Sequence, residues 1–328
     1  MFKAIYLDEN KNQGSFNELD REKIKAILGN SKSLLWLDIQ DPDDAEIDFL
    51  LETMQFHQLT VEDCLIPQQH AKIVFFDDYI FLTIHSFISS VKEFEISLVS
   101  EEMDVFLGRN FIVTVHEYPV KIINELLANG NSKAQNASLS KGIDYAVYSL
   151  LDKIIDSYFP VIENYNTLFD ILDDKIFKDS NPLLMSKILK AKKSLLTVRK
   201  YLGPLRAVMS QLIRTNTVFV RAKSLVYYRD VYDHVMLLYD MVENFRDMFN
   251  TIMEAHLANT SNRLNEIMKT LTVVATIMMP LTLITSFYGM NVKAPEFEWG
   301  LAGYIFVWVI LLLTLIFMLI FFKKRRLL

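Results

Sequence analysis

The chain has 328 residues, of which 51% are hydrophobic and 23% are charged, and its formal net charge is −6. This acidic balance, without a basic stripe over the polar part of the chain, argues against nucleic-acid binding. The one cysteine, Cys64, excludes an intrachain disulfide framework and suits a reducing cytoplasm.

The first part of the chain, residues 1–140, mixes short β-branched and aromatic runs with two amphipathic helical stretches. One helix is expected to begin at Asp20, and a second at Asp41, where Pro42 would take the first helical position. A Gly-Arg-Asn triplet at 108–110 lies between two apolar runs, as a hairpin turn does. The pattern predicts an α+β cytoplasmic domain with a largely antiparallel sheet.

No enzyme site is expected in this domain or elsewhere. No segment resembles a nucleotide-binding loop, and none of the six histidines stands at metal-ligand spacing from another. We therefore interpret the protein as something other than an enzyme.

From residue 141 the pattern becomes helical, with breaks expected at 178–182 and at Gly203-Pro204. A helix from about Tyr228 to Phe287 would be roughly 90 Å long at about 1.5 Å per residue, which is far more than a membrane needs. It is interpreted as a cytoplasmic stalk that continues into the bilayer.

Two apolar runs near the C-terminus are long enough to cross a bilayer, which takes about 20 residues. Residues 301–322 carry no charge, whereas residues 271–288 contain Pro280, threonines and a serine, and are expected to be shielded by neighbours. Basic residues precede the first run and follow the second as KKRR at 323–326, which predicts that both ends face the cytoplasm. The first residues, MFKAIYLDENKNQ, lack the apolar region of a signal peptide.

These patterns divide the chain into consecutive segments. The predicted segments are the cytoplasmic α/β domain (1–140), a helical cytoplasmic region (141–226), the stalk helix (227–288) with its membrane part at about 270–288, an external loop (289–300), the second span (301–322) and a basic cytoplasmic tail (323–328).

One stripe of the first span is small, polar or soft, whereas its neighbour is bulky and apolar. A lone helix of this length needs packing partners, which several copies around an axis would supply. The stripe is either a small-residue packing face of a membrane bundle or the lining of a pore. The candidate pore-lining residues are Asn265, Met268, Leu271, Thr272, Ala275, Met279, Thr282 and Ser286.

The segment NEIMKTLTVVATIMMPLTLITSFYGMN at 265–291 closely resembles the first membrane helix and signature loop of the CorA family of magnesium channels, in the 2-TM-GxN superfamily. Its motif is Tyr288-Gly289-Met290-Asn291, ahead of a final span and a basic C-terminus. The likeness extends to YYRDVYDH, VENFRD and DYAVYSLLDKIIDSYF, and more loosely to residues 60–81. The resemblance implies a homopentamer in the plasma (inner) membrane, a funnel-shaped cytoplasmic part and a pore lined by the first helix.

The resemblance also implies transport of magnesium, with cobalt and nickel as further candidate ions. Mg²⁺ dehydrates reluctantly, so a ring of Asn291 amide oxygens suits its hydration shell. Gly289 is expected to let the chain leave the helix in a conformation closed to other residues. Apart from Tyr288, no ionisable residue occurs from Thr270 to Asn291, which favours the membrane potential over protons as the driving force.

The loop VKAPEFEWG departs from the family pattern, because it is short and places Lys293 beside the mouth. Glu296 is a candidate replacement for the acid that many relatives carry there. Transport of zinc or another divalent cation by the same superfamily is therefore the alternative function. A structural or sensor protein with a coiled stalk would explain the helices but has no use for a polar stripe in the bilayer.

Two regulatory roles are predicted. Met268 and Leu271, near the cytoplasmic membrane boundary, are candidates for an apolar gate that blocks ions by dewetting, with ordinary core packing as the rival interpretation. The resemblance places Asp230 where the family has an acid that binds regulatory magnesium at a subunit boundary. In the rival interpretation Asp230 pairs with Arg229 or with a lysine of a neighbouring subunit.

Overall fold

The computed structural model describes residues 1–68, 70–92, 95–128, 135–176, 182–215, 217–291 and 295–325. Contacts divide the chain into two compact units, residues 1–252 and 253–328. Three expectations fall wholly or partly outside the described residues. These are the break at 178–182, of which Pro182 alone is described, the position of Lys293, and the last residue of the KKRR motif.

A mixed sheet forms the centre of the N-terminal part of the first unit. In the described residues it has seven strands in the order β2-β1-β3-β7-β6-β5-β4. Neighbouring strands are antiparallel except for the parallel pair β3 and β7, so the predicted largely antiparallel sheet is confirmed. The strands are β1 (Phe2–Leu7), β2 (Gln13–Phe16), β3 (Leu34–Gln40), β4 (Lys72–Phe75), β5 (Tyr79–Lys92), β6 (Glu95–Gly108) and β7 (Phe111–His116).

Helices cover the sheet and continue to the end of the described chain. They are α1 (Arg21–Gly29), α2 (Asp44–Asp48), α3 (Gln58–Leu65), α4 (Lys121–Ala128), α5 (Gln135–Lys141), α6 (Ile143–Asp156), α7 (Tyr158–Ile176), α8 (Pro182–Arg214), α9 (Leu225–Tyr288) and α10 (Leu301–Lys324). A π-helical turn (Phe49–Thr53) follows α2, and a 3-10 helix (Pro295–Trp299) precedes α10.

The core lies on both faces of the sheet. On one face Phe56 stacks on Phe106 with ring centroids 4.0 Å apart, within a cluster that also buries Phe49 and Leu37. Helices α6, α7 and α8 contact strands β4, β5 and β6. The helical region is thereby packed on the sheet within the first unit.

The predicted start of α1 is confirmed, and the predicted start of the second helix is wrong. The carboxylate of Asp20 accepts a hydrogen bond from the backbone N–H of Lys23 at 3.0 Å. The second helix instead has Asp43 as its N-cap. Asp43 accepts from the N–H of Glu46 at 2.8 Å, and the Glu46 carboxylate accepts from the N–H of Asp43 at 3.1 Å. This reciprocal pair satisfies two backbone donors, which determines where the helix begins.

The predicted turn at 108–110 is confirmed, because β6 ends at Gly108 and pairs with β7, which begins at Phe111. The predicted break at Gly203-Pro204 is wrong, because α8 continues through both residues to Arg214. The flanking Leu202 and Leu205 are buried, and this packing outweighs the backbone hydrogen bond that a proline removes.

Helix α9 has 64 residues and confirms the predicted long helix that continues into the first apolar run. It passes through Pro280 without ending. Its first turns, up to residue 252, belong to the first unit, and the remainder belongs to the second unit with α10.

A network centred on Asp144 fastens the start of α9 to the start of α6. The backbone N and the Nε of Arg221 donate to Oδ2 of Asp144 at 3.1 and 2.8 Å. Nη2 of Arg221 contacts the same carboxylate and donates to the carbonyl oxygen of Lys141 at 2.6 Å. Tyr228 donates its hydroxyl to the carbonyl oxygen of Asp144 at 2.7 Å. Because only 2% of the Asp144 side chain is exposed, the carboxylate depends on these donors.

Two further features belong to this network. Gly142, just before α6, has φ +122°, and a Cβ there would run into the guanidinium group of Arg221. Burial raises the pKa of Asp144, but hydrogen bonds from Arg221 and Ser224 outweigh it, so the pKa lies below its ordinary value. The carboxylate is therefore ionised at neutral pH.

We expect Arg221→Met to destabilise the protein by about 3 kcal/mol, because it leaves a buried carboxylate unpaired. The value is at the low end for a buried pair because 42% of the Arg221 side chain is exposed. The measurement is the unfolding midpoint of the purified protein. The control is Arg21→Met, which breaks the exposed 3.2 Å pair with Glu52 and should cost about 0–1 kcal/mol.

The same pair predicts a pH dependence. A carboxyl group whose folded-state pKa is lowered stabilises the protein above its ordinary pKa, and this stability is lost as the pH falls through the lowered value. The difference between wild type and Arg221→Met should therefore shrink on acidification. A difference that stays constant would contradict the role of Asp144.

Candidate ion pathway and candidate divalent-cation site

Two helices, α9 and α10, are long and apolar enough to cross a membrane. In each helix, only 6% of an apolar stretch of 18 residues is buried by the rest of the chain. Apolar helices exposed to this extent need lipid or further chains to cover them. Both apolar runs that the sequence predicts as spans therefore lie on helices that the chain itself leaves mostly uncovered.

The eight predicted pore-lining residues are all exposed on α9. Four of them line a shallow groove along the helix, together with Met278 and Leu283; these four are Ala275, Met279, Thr282 and Ser286. The bulky neighbouring stripe is exposed as well, with Ile267 at 56% and Val274 at 53%. A single chain therefore leaves both stripes uncovered.

Threonine hydroxyl groups on α9 are satisfied by the helix itself. Thr272 donates to the carbonyl oxygen of Met268 at 2.8 Å, and Thr282 donates to that of Met278 at 2.8 Å. Each hydroxyl hydrogen is thereby used in a hydrogen bond within the helix, while the hydroxyl oxygen can still accept a further hydrogen bond. The stripe can therefore expose neutral oxygen atoms in an apolar environment without leaving a hydroxyl hydrogen unpaired.

The chain leaves α9 at Gly289 without a left-handed residue, because Gly289 has no positive φ. Its N–H donates to the carbonyl oxygen of Thr285 at 2.9 Å, which continues the helical pattern, and Met290 donates to Phe287 at 3.3 Å. A Cβ on Gly289 would lie 3.1 Å from the Thr285 carbonyl oxygen, so it is crowding against the last turn that favours glycine.

Asn291 follows directly and is exposed. Beyond the undescribed residues 292–294, a 3-10 helix leads into α10. Gly303 in the first turn of α10 lies so close to the carbonyl oxygen of Glu296 that a Cβ would overlap it. The loop thus returns tightly onto α10, with the Glu296 side chain partly buried.

A second group of polar residues lies in the first unit, between α6 and α9. One ligand atom each of Asp152, Asp230 and His234 lies within 4.8 Å of the others. Asp230 and His234 are one helical turn apart on α9, so they project from the same face. Oxygen and nitrogen donors at this separation can bind a divalent cation.

The electrostatics of this group favour a cation. Burial raises the pKa of Asp152, and the charges of Asp156 and Asp230 raise it further. His234 and a hydrogen bond from Tyr148 act in the opposite direction, but the pKa remains above its ordinary value. The pKa of Tyr148 is raised to about 12 by burial and by the nearby carboxylates, first Asp152. Repulsion between the carboxylates would be relieved by a dication.

Asp230 itself forms no ion pair within the described residues, so the predicted rival pairing with Arg229 is not observed. Other acids on α9 differ in this respect. Glu243 pairs with Arg199 and Arg246, and Asp247 pairs with Arg246 at 2.9 Å.

Sequence reasoning missed Asp152 and His234. Asp230 and His234 are four residues apart, a spacing that places two side chains on the same face of a helix. That spacing was visible within YYRDVYDH. Asp152 is 78 positions earlier, and no local pattern connects it to α9.

Comparisons with known proteins agree with this architecture. The sequence model of the family described as "CorA-like Mg2+ transporter protein" matches residues 31–326. The chain is 30% identical over 315 residues to the cobalt/magnesium transport protein CorA of Thermotoga maritima, covering 95% of this chain and 89% of that protein. It is 32% identical over 295 residues to the putative metal ion transporter YfjQ of Bacillus subtilis, covering 88% of each.

A solved structure has the same fold. The complete structure of the CorA magnesium transporter from Methanocaldococcus jannaschii matches with a TM-score of 0.80 at 22% identity, covering 98% of this chain and 97% of that one. The agreement extends over the sheet, the long helix and the terminal apolar helix.

Proposed function

The chain belongs to the family of CorA-like Mg²⁺ transporters, and on this basis we propose that it is a homopentameric channel for magnesium influx across the plasma (inner) membrane. Members of the family are ion transporters rather than enzymes, and divalent cation transport is the activity that the family supports. The observation that carries the proposal is the exposed polar stripe along α9, which ends at the exposed Asn291.

Five copies of α9 around an axis would cover both exposed stripes. The bulky stripe would pack against neighbouring helices, and the polar stripe would line the pore with hydroxyl and amide oxygens. Neutral oxygens hydrogen-bond the water shell of Mg²⁺ without stripping it, which suits an ion that dehydrates reluctantly. The Asn291 amides of five subunits would form the outer ring.

The membrane potential would drive the ion. A divalent cation gains about 4.6 kcal/mol per 100 mV, twice the value for a single charge. Arg263 and Lys269 precede the membrane part of α9, and Lys323 and Lys324 end α10. This distribution supports a cytoplasmic location for both ends of the chain.

Cytoplasmic magnesium would close the channel through Asp152, Asp230 and His234. Asp152 and His234 of the same chain lie beside Asp230, and the expectation of a subunit boundary at Asp230 stays a prediction. A bound dication would hold α6 against α9, and an empty site would loosen this contact by repulsion between the carboxylates. Falling magnesium would thereby favour the open state.

Zinc, cobalt and nickel are the alternative ions, because the loop after Asn291 is short and contains Lys293. Uptake by protein-containing liposomes, measured for each ion and in competition with Mg²⁺, separates these alternatives. A structural or sensor protein would give no divalent uptake in the same assay.

We expect Asn291→Ala to reduce magnesium uptake into liposomes to the level of protein-free vesicles, because the ring that binds the hydrated ion is lost. Asn291→Gln is the matched variant, since it keeps the amide and should retain part of the uptake. Assembly is checked by size-exclusion chromatography. Normal transport by assembled Asn291→Ala would show that the amide is not needed.

We expect Met268→Asp and Leu271→Asp to increase leakage at high magnesium, because a charged side chain keeps a narrow apolar ring wet. Both side chains are exposed in the single chain, at 58% and 60%, so they are not part of its own core. Electrical recording in planar bilayers provides the measurement. The gate would lie elsewhere if both assembled variants kept the closed-state conductance of the wild type.

We expect magnesium to protect the full-length protein from limited proteolysis, and Asp230→Ala to need at least about tenfold more magnesium for the same protection. Asp152→Ala should behave in the same way, because it removes the facing carboxylate. The control is Asp240→Ala, another exposed acid on α9. Superimposable protection curves for wild type and Asp230→Ala would remove Asp230 from regulation.

A further inference from the structure

A cavity of about 560 Å³ lies within the first unit and shares no residue with either candidate cation site. Its walls come from strands β5 and β6, from the end of β7, from α3 and the residues that follow it, and from α8. A bare ion would leave most of this volume empty, whereas small organic ligands occupy pockets of this size.

The charged part of the cavity wall is acidic. Within the described residues, five carboxylates and no lysine or arginine line it; the acids are Asp41, Glu101, Glu102, Asp104 and Glu117. In the part of the chain that the structure describes, none of these acids forms an ion pair with a lysine or an arginine. A concave wall of one charge attracts a ligand of the opposite charge, here a cation.

Asp104 is the most deeply buried of these acids, with 3% of its surface exposed. Its Oδ1 accepts a hydrogen bond from the hydroxyl group of Thr83 at 2.6 Å. Burial raises the pKa of Asp104 well above its ordinary value, and the charge of Glu102 adds to this, although hydrogen bonds from Thr83 and Cys64 act in the opposite direction. A cation beside Asp104 would favour its ionised form.

His85 contributes an acceptor that the protein leaves unused. Its Nε2 lies 2.9 Å from the carbonyl oxygen of Gln68, which can only accept, so Nε2 carries the hydrogen. In the neutral ring Nδ1 is then an acceptor. Nδ1 is buried and has no hydrogen-bond partner among the described residues, although a buried polar atom is normally paired. A ligand that donates hydrogen bonds would supply the missing partner.

The remaining wall is apolar or aromatic. Leu65 and Pro67 border the cavity, and so does Tyr201, whose ring centroid is 4.7 Å from that of His85. Apolar side chains suit methylene groups rather than a water shell. The face of a tyrosine ring also attracts an organic cation. The occupant that fits both parts of the wall carries positive charges on an aliphatic chain.

We propose that this cavity binds an aliphatic diamine or polyamine. The ammonium groups lie against Asp104 and Glu102, and one N–H reaches the unused acceptor of His85. The methylene groups lie along Leu65 and Tyr201. Such a ligand offers only donors to a wall whose charged groups only accept. Hydrated Mg²⁺ also offers only donors, but its water shell would lie against the apolar side chains.

The test is isothermal titration calorimetry of the purified full-length protein with spermidine and with putrescine, in physiological salt. Both amines should bind saturably. Asp104→Asn and Glu102→Gln should each weaken spermidine binding at least about tenfold, because a charge-assisted hydrogen bond is lost while the side-chain shape is kept. Asp173→Asn, which changes an exposed acid on α7, is the matched control and should bind as wild type does. Unchanged unfolding midpoints would demonstrate that the variants are folded.

Two competitors identify what the cavity recognises. The diol of the same chain length as putrescine has the methylene groups without the charges and should not bind. An excess of MgCl₂ should leave spermidine bound. The inference would be overturned by the absence of saturable amine binding, by unchanged affinity in both folded cavity variants, or by displacement of spermidine at equimolar MgCl₂. None of these results would affect the proposed ion transport, which depends on other residues.

Discussion

Helix α9 is one continuous helix whose first part packs within the first unit and whose later part carries an exposed apolar surface. The rest of the structure depends on this constraint. In its first turns the residues at every third or fourth position are buried, as Tyr228, Val231 and Val235 are. From residue 261 onward most side chains of α9 are exposed. A helix with that much uncovered apolar surface is held by packing rather than by propensity, so lipid and further copies of the chain are required.

The attachment of α9 to α6 links the two polar networks of the first unit. At the start of both helices, Asp144 accepts hydrogen bonds from Arg221, and its carbonyl oxygen accepts one from Tyr228. About two turns further along, Asp152 faces Asp230 across the same pair of helices. The first contact stabilises the pairing at neutral pH, whereas under the proposed regulation repulsion at the second would oppose it until a cation binds. A helix pair that combines both can respond to a cation without unfolding.

The two candidate cation sites differ in charge for a physical reason. The stripe on α9 and Asn291 present neutral oxygens, which bind a hydrated ion weakly enough for it to move on. The group at Asp152 and Asp230 presents carboxylates, which under the proposed regulation would bind a dication more strongly and hold it for longer. In the proposed function, conduction and sensing would therefore use different chemistry in different units of the chain.

Several features could be predicted from the sequence because they depend on neighbouring residues. Apolar length indicated both candidate spans. The helical pattern from about Tyr228 to Phe287 indicated the long helix, and Asp20 indicated the start of α1. The stripe on α9 followed from helical periodicity alone. The identity of the family followed from the motif that ends at Asn291.

Other features were decided by tertiary structure. Burial of Leu202 and Leu205 keeps α8 intact through Pro204, although the local preference is for a break. Periodicity shows which face of a helix is apolar, but it does not show which other helix covers that face. The group that joins Asp152 to Asp230 and His234 therefore exists only because α6 packs beside α9, since the two carboxylates are 78 positions apart in the sequence.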